Sequence, residues 1–189
     1  MSNIDYDSLE PGQRYSVKNG RAVKYRPQIL EGMCCIYGVP HQHQTRPEPE
    51  VFEKNCFASS LFGVTFQIDH KFFKKKLGDQ DDDSLQLLDT DIGLAFRLKL
   101  TPESFEKLEG RDELSVGYFE HDIFFKNSVR HIRKAGLVEI SAVHSGAIRT
   151  TFSRIRDADS VRPLADEVKH SFASEASGIA FLRALRRLN

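Results

Sequence analysis

A serine, a histidine and a glutamate lie in three segments of this sequence that otherwise have the pattern of β-strands. Ser115 lies in ELSVGYF, His70 ends GVTFQIDH, and Glu139 lies in GLVEISAV. A hydroxyl becomes a nucleophile when a base removes its proton and a third group orients that base. Whether Ser115 is such a nucleophile or an ordinary strand residue is the question that these three segments raise.

His70 continues the apolar face of its predicted strand. Side chains alternate along a strand, so Val64, Phe66 and Ile68 share a face with His70, and Asp69 points to the other side. Such a histidine is either hydrogen-bonded in the core or at the strand end, or is held there for chemistry. The pattern leaves both interpretations open.

Glu139 stands in a strand that is largely apolar on both faces, which is typical of a strand buried on both sides. An ionised and unpaired carboxylate there would cost several kcal/mol, so Glu139 needs a partner. A histidine would serve. The alternative is a structural ion pair with a strand cation such as Arg97 or Arg133.

Ser115 by itself is an ordinary strand residue. Gly117, two residues later on the same face, leaves space beside the hydroxyl, and we expect that space to admit a substrate. The spacing indicates access to the hydroxyl without identifying a reaction.

Other segments with ligand-forming side chains predict no site. His41 and His43 lie in a proline-bearing loop without the further ligands that a metal needs. The run DQDDDSLQLLDT begins like a calcium loop but lacks its glycine and its final glutamate. We therefore predict no metal and no cofactor, and a metal-dependent hydrolase using His41, His43 and His70 is the weakest alternative.

The composition is that of a globular chain of one domain. The 189 residues are 40% hydrophobic and 29% charged, with 27 basic and 27 acidic side chains. The zero net charge argues against a general nucleic-acid binder, and no apolar run reaches the length of a membrane span. The polar start indicates no secretory signal, and we expect Cys34, Cys35 and Cys56 to be free thiols in a reducing cytoplasm.

Alternation and turn signals predict about seven strands. They lie in a hairpin around Asn19-Gly20 and at 28–38, 63–70, 84–100, 113–119, 127–133 and 136–144. Short helices are predicted at 51–62 and at 101–110, where Thr101 is the N-cap and Pro102 the first helical residue, and a loop at 41–50.

Helical spacing predicts a helical C-terminus, with an apolar face of Leu164, Val168, Phe172, Phe181, Leu185 and Leu188. We expect an α+β fold built on a mostly antiparallel β-barrel with surrounding helices. The barrel domain would cover residues 1–155, and a helical segment at 156–189 would pack on it or extend from it.

In their order along the chain, these segments resemble the prohead serine proteases of tailed phages, a family related in fold to herpesvirus assemblin. LEGMCCIYG resembles the family's opening strand, KNCFASSL its helix, and FQIDH the strand that ends in the catalytic histidine. GLAFRLKL resembles a further strand, ELSVGYF the strand with the nucleophile, and GLVEISAV the strand with the third catalytic residue. Six short motifs in the family's order, from about Ile29 to Phe152, make the resemblance fairly specific.

The resemblance implies a role for each of the three residues: Ser115 is the nucleophile, His70 the general base and Glu139 the acidic third member. The sequence departs from the family after the last motif, where HSGAIRTT replaces PAN-like residues. The herpesvirus enzymes have a glycine followed by arginines there, which implies an oxyanion hole formed by the backbone of Gly146 and Ala147.

The implied activity is that of a serine endopeptidase inside a phage or prophage procapsid, in the cytoplasm of a bacterial host. Its implied partners are the major capsid protein or its scaffold domain, its own chain as a second substrate, and a second copy in a homodimer. Nucleic acid and membranes are not expected partners. The alternative from another class is a catalytically degenerate assembly module that keeps the fold and binds capsid subunits as a scaffold.

Overall fold

The part of the chain that the structure describes is rich in β-strands and has few helices. The computed structural model describes residues 15–18, 21–24, 27–43, 46–71, 76–146 and 151–177. The strands are β1 (Tyr15–Lys18), β2 (Arg21–Lys24), β3 (Gln28–Ile36), β4 (His41–Gln42), β5 (Pro49–Phe52), β6 (Thr65–Ile68), β7 (Lys76–Asp79), β8 (Leu85–Asp89), β9 (Gly93–Leu100), β10 (Glu113–Lys126), β11 (Val129–Val143) and β12 (Phe152–Asp157). The helices are α1 (Pro102–Lys107), a 3₁₀ turn at Ala158–Ser160, and α2 (Leu164–Glu167), which continues as a π-helical turn at Val168–Phe172.

β11 organises the first sheet because it has neighbours on both edges. β10 pairs with it antiparallel over nearly its whole length. Along the other edge, β5 pairs in parallel with the first part of β11, and β6 pairs in parallel with its last part. β4 extends the sheet beyond β5, and β7 extends it beyond β6.

The second sheet is antiparallel, with the strand order β12-β3-β9-β8. Its inner strands β3 and β9 are buried at nearly every position, as expected for strands covered on both faces. The main core includes Phe52, Phe57, Phe66 and Phe96, and a second cluster joins Met33 and Ala95 to the C-terminal helix.

Several predicted elements are confirmed. β1 and β2 are the two strands of the predicted hairpin, whose residues 19–20 lie outside the described part of the chain. β3, β6, β8 and β9 occupy predicted segments, and Thr101 caps α1 in a reciprocal arrangement with Ser104. The three cysteines are buried and free.

The predicted helical spacing is confirmed for Leu164, Val168 and Phe172, which are all buried. The second half of that prediction falls on Phe181, Leu185 and Leu188, which lie outside the described residues.

The predicted helix at 51–62 is wrong. β5 extends to Phe52, and residues 54–59 form turns. The backbone here bonds to β11, since Glu53 N–H donates to Ile132 O at 3.0 Å and Cys56 O accepts from Ala135 N–H at 2.9 Å. Pairing with β11 therefore takes the hydrogen bonds that a helix would need.

Three other elements differ from the predictions. The predicted loop at 41–50 contains β4 and the first residues of β5. The strands predicted at 127–133 and 136–144 are one continuous strand, β11. β12 was not predicted, and it forms by pairing with the distant strand β3.

A closed barrel is not confirmed. Within the described residues the strands form three open sheets, one of six strands, one of four and the β1–β2 hairpin. The largest is mixed, because β5 and β6 run parallel to β11. No helix in this part of the chain is long and apolar enough to cross a membrane.

Candidate active site

The pairing of β10 with β11 places Ser115 and Glu139 on the same face of the sheet. Ser115 lies directly opposite Ser141, and Gly117 lies opposite Glu139. Residues opposite each other in an antiparallel pair point to the same side of the sheet, so Ser115 shares a side with Ser141. Every second residue of a strand also points to the same side, so Glu139 shares that side with Ser141. Glu139 is 2% exposed and Ser115 is 7% exposed, so both belong to the edge of the core.

Gly117 makes room for Glu139. A Cβ atom at position 117 would lie 2.7 Å from Glu139 Cγ and 3.0 Å from its Oε1. The prediction that this glycine keeps space open for a substrate is therefore wrong, because the carboxylate of Glu139 fills that space. Gly117 instead lets a buried carboxylate lie beside the strand of Ser115.

His70 lies in a turn after β6 and does not continue that strand. β6 ends at Ile68, and Asp69 and His70 both have positive φ angles of 51° and 56°. Two successive left-handed residues interrupt the alternation on which the predicted apolar face depended. That placement of His70 is therefore wrong, and its side chain is 48% exposed.

The turn brings His70 to Glu139. His70 Nδ1 contacts Glu139 Oε1, and the other carboxylate oxygen accepts a hydrogen bond of 2.8 Å from the Ser141 hydroxyl. The oxygen of that hydroxyl accepts the backbone N–H of His70 at 3.3 Å. Ser141 thus connects the carboxylate to the backbone of the histidine.

The Glu139 contact sets the protonation behaviour of His70. The hydrogen bond to Glu139 raises the pKa of His70 above its usual value, although partial burial acts to lower this pKa. With Glu139 ionised, the contact requires a hydrogen on Nδ1, which leaves Nε2 of the neutral ring free to accept a proton.

The alternative cation partners of Glu139 are engaged elsewhere. Arg97 donates to Glu31 Oε2 from Nε at 2.9 Å and from Nη2 at 2.6 Å. Arg133 donates to Asp122 at 2.9 Å. The partner of Glu139 is thus His70.

Asp69 and Arg111 belong to the same surroundings and were not among the residues predicted from the sequence. Arg111 donates to Asp69 Oδ1 from Nε at 3.0 Å and to Oδ2 from Nη2 at 2.9 Å. This hydrogen bonding lowers the pKa of Asp69. The two residues are 42 positions apart, so no local spacing indicated that they pair. The one available signal was that Asp69 is adjacent to His70.

The predicted oxyanion hole lies only partly within the described residues. The backbone N–H of Gly146 donates to Glu113 Oε2 at 2.6 Å, and Ala147 lies outside the described part. A Cβ at position 146 would lie 2.4 Å from Leu114 O, so the glycine permits this close approach to the residue before Ser115. The assignment of Gly146 and Ala147 stays a prediction.

His41, which the metal-dependent alternative would use, is packed in the interior. His41 is buried, stacks on Phe52 with ring centroids 4.8 Å apart, and lies 3.7 Å from Glu50. In the described ranges, no group of three or more histidine, cysteine or acidic side chains could hold a metal ion. His41 therefore belongs to the interior packed around Phe52.

The arrangement has the parts of a base-activated hydroxyl. A buried carboxylate orients a partly exposed imidazole, and a serine lies on the same face of the adjoining strand. Such a unit can remove a proton from a hydroxyl and return it to a leaving group.

The comparisons with known proteins are consistent with this chemistry. A protein-family model described as caudovirus prohead serine protease matches residues 20–163, which are 144 of the 189 residues. A comparison with individually curated proteins gives no match.

Proposed function

The chain belongs to the caudovirus prohead serine protease family, and from that premise we propose that it is a serine endopeptidase that matures a phage or prophage procapsid. Its substrate is the scaffold domain of the major capsid protein, and it also processes its own chain. It acts inside the procapsid, in the cytoplasm of the bacterial host. A homodimer is the proposed assembly, by analogy with the herpesvirus enzymes.

The proposed mechanism assigns one role to each residue. Ser115 Oγ attacks the scissile carbonyl carbon while His70 Nε2 takes its proton. Glu139 accepts the Nδ1 hydrogen of His70 and stabilises the imidazolium that forms. His70 then donates the proton to the leaving amine, and the acyl-enzyme is hydrolysed by a water that His70 deprotonates.

One observation carries this proposal: the contact of His70 with a buried glutamate on the face that also contains Ser115. The residue types and the family's motifs point to the same three residues. The strands β10 and β11 provide rigid supports for Ser115 and Glu139, which suits catalytic placement.

A catalytically degenerate assembly module of the same fold is the second candidate. The engagement of Gly146 N–H with Glu113 favours it, because an oxyanion hole needs free donors. The His70–Glu139 contact favours the protease, since a module without activity does not need an imidazole held by a buried carboxylate.

The test is co-expression of the full chain with its cognate capsid protein, followed by mass spectrometry of both proteins. Wild type should release the scaffold domain and shorten its own chain at defined sites. Ser115→Ala and His70→Ala should each reduce cleavage by several powers of ten. Ser59→Ala is the matched control, because Ser59 is an exposed turn serine with no role in the proposed mechanism.

The two candidates give opposite results. Processing by wild type and the Ser59→Ala variant but not by the Ser115→Ala variant supports the protease. Equal processing by the Ser115→Ala variant would refute Ser115 as nucleophile, and no processing by folded wild type would favour the assembly module.

A further inference from the structure

Arg111 links the turn that carries His70 to the strand that carries Ser115. Its guanidinium forms two parallel hydrogen bonds with Asp69, the residue before His70, at 3.0 and 2.9 Å. The same guanidinium donates from Nη1 to Lys107 O at 3.1 Å, at the end of α1. One side chain thus joins the His70 turn, the end of α1 and the start of β10.

The His70 turn needs external support. Asp69 and His70 both adopt left-handed backbone conformations, which are unfavourable in residues other than glycine unless the surrounding structure holds them. The turn is held by its backbone: Asp69 N–H donates to Ala142 O at 3.1 Å, and His70 N–H donates to Ser141 Oγ at 3.3 Å. These bonds connect it to β11 alone.

The Asp69–Arg111 pair supplies the connection to β10. Arg111 precedes Ser115 by four residues, and β10 begins at Glu113. Among the described residues, the hydrogen bonds that join the His70 turn to the segment leading into β10 are those of this pair. Catalysis requires the imidazole and the hydroxyl to be placed to within a fraction of an ångström.

We propose that Asp69 and Arg111 are positioning residues that hold His70 in register with Ser115 and Glu139. This proposal rests on the proposed function, for which Ser115 is the nucleophile and His70 its base. The pair acts through the His70 turn and does not touch the reacting atoms.

The geometry distinguishes this pair from an ordinary surface ion pair. The side chains of Arg111 and Asp69 are 17% and 24% exposed, whereas Glu103 in the Glu103–Lys107 pair of α1 is 78% exposed. Two-point contact of a guanidinium with a carboxylate fixes orientation as well as distance. Lysine cannot reproduce it, because an ammonium is a point charge.

The experiment measures the reactivity of Ser115 and the pKa of His70 in the full chain. Labelling of Ser115 by a fluorophosphonate, followed by mass spectrometry, gives the maximal labelling rate and the half-saturating concentration. Nuclear magnetic resonance of the His70 imidazole gives its pKa, in a Ser115→Ala background that prevents self-cleavage. The variants are Arg111→Met, Arg111→Lys and Asp69→Asn, with Glu103→Gln as the control that removes the exposed α1 pair.

The sign of the pKa change separates positioning from simple charge effects. The charge of Asp69 raises the pKa of His70, so removing Arg111 with the turn in place would leave that charge unpaired and raise the pKa further. Loss of the contact with Glu139, the largest cause of the raised pKa, would instead lower it. Within the described residues, the other ionisable groups that act on Asp69 are Arg111, Lys71 and His144.

We expect the Arg111→Met variant to lower the pKa of His70 and to reduce the maximal labelling rate about tenfold to a hundredfold, with the half-saturating concentration unchanged. The Arg111→Lys variant should lose less, the Asp69→Asn variant should resemble Arg111→Met, and the Glu103→Gln variant should match wild type.

Wild-type labelling rates in both folded variants, together with an unchanged or raised His70 pKa in the Arg111→Met variant, would overturn the proposal. The Asp69→Asn variant is judged by its labelling rate, because loss of the Asp69 charge by itself lowers the pKa of His70. If Ser115 of the wild-type protein is not labelled by the fluorophosphonate, the proposed protease function is contradicted. The pKa measurement still decides whether the pair positions His70.

Discussion

At the scale of single residues, the candidate site depends on exceptions to regular strand geometry. Two left-handed residues turn His70 toward Glu139, and Gly117 lacks the side chain that would collide with the glutamate. Ser141 then hydrogen-bonds both the carboxylate and the backbone of His70. Each exception brings a polar group to the face on which Ser115 lies.

The first prediction concerns Glu139 and pH. The pKa of His70 is raised in the folded chain, chiefly by its hydrogen bond to Glu139. Below the unfolded value of about 6.5 the charged pair stabilises the fold fully, and this contribution is lost as pH rises through the higher folded pKa. As pH rises from about 6.5 through the folded pKa of His70, the urea concentration at the midpoint of unfolding should therefore fall. We expect this fall to be smaller in the Glu139→Gln variant than in wild type.

Activity should follow the same titration, since the proposed base must be neutral. The acid limb of the cleavage rate should move to lower pH in the Glu139→Gln variant, and the maximal rate should fall. Glu53→Gln is the matched control, because it removes a histidine–glutamate contact of 2.6 Å with His131 elsewhere on β11. If both variants shifted the acid limb and lowered the maximal rate equally, the proposed role of Glu139 in orienting His70 would be contradicted.

At the scale of elements, local pattern predicted most strands, and long-range pairing decided the others. The alternation in β6 and the capping residues of α1 are visible in short windows of sequence. The turns at 54–59 and the strand β12 are not, because their backbone groups bond to β11 and β3. A segment with ambiguous local preference takes the structure in which its hydrogen bonds are satisfied.

The second prediction concerns the hairpin that joins β10 to β11. Asn127 and Ser128 occupy its turn with φ angles of 51° and 60°, and serine tolerates this conformation less well than glycine does. Ser128→Gly should therefore raise the free energy of unfolding by about 0.5–1 kcal/mol, offset in part by the greater freedom of glycine in the unfolded chain. Urea denaturation in a Ser115→Ala background measures the change.

Ser59→Gly is the control for this prediction. Ser59 also lies in an exposed turn, but its φ angle is not positive. Its replacement by glycine should leave stability unchanged or lower it. A Ser128→Gly variant no more stable than the Ser59→Gly variant would contradict the argument from backbone strain.

At the scale of the whole molecule, the C-terminal helix packs on the second sheet. Phe172 is fully buried, meets Phe152 edge to face at 5.4 Å, and belongs to the cluster with Met33. Glu167 accepts a hydrogen bond of 3.2 Å from Arg156, which also bonds Glu31 at 3.3 Å. Apolar and ionic contacts thus both attach the helix to β3 and β12.

The third prediction tests whether this helix folds as one unit with the sheets. Phe172→Ala should lower the free energy of unfolding by about 3–5 kcal/mol, through lost burial and the cavity left behind, with a single transition. Phe62→Ala is the control, because Phe62 is 86% exposed, and it should have little effect. An unchanged main transition in the Phe172→Ala variant would show that the helix is an independent appendage.

The sequence by itself determined the order of the segments, and together with the family's motifs it predicted the three side chains that we propose for catalysis. Residue types, short family motifs and capping residues are local properties, so Ser115, His70 and Glu139 could be proposed, and the capped helix α1 predicted, without a structure. The tertiary structure decided where the imidazole points, what fills the space at Gly117, and that Arg111 reaches Asp69. These features depend on contacts between residues far apart in the chain and on a two-residue reversal of the backbone, which no short window of sequence encodes.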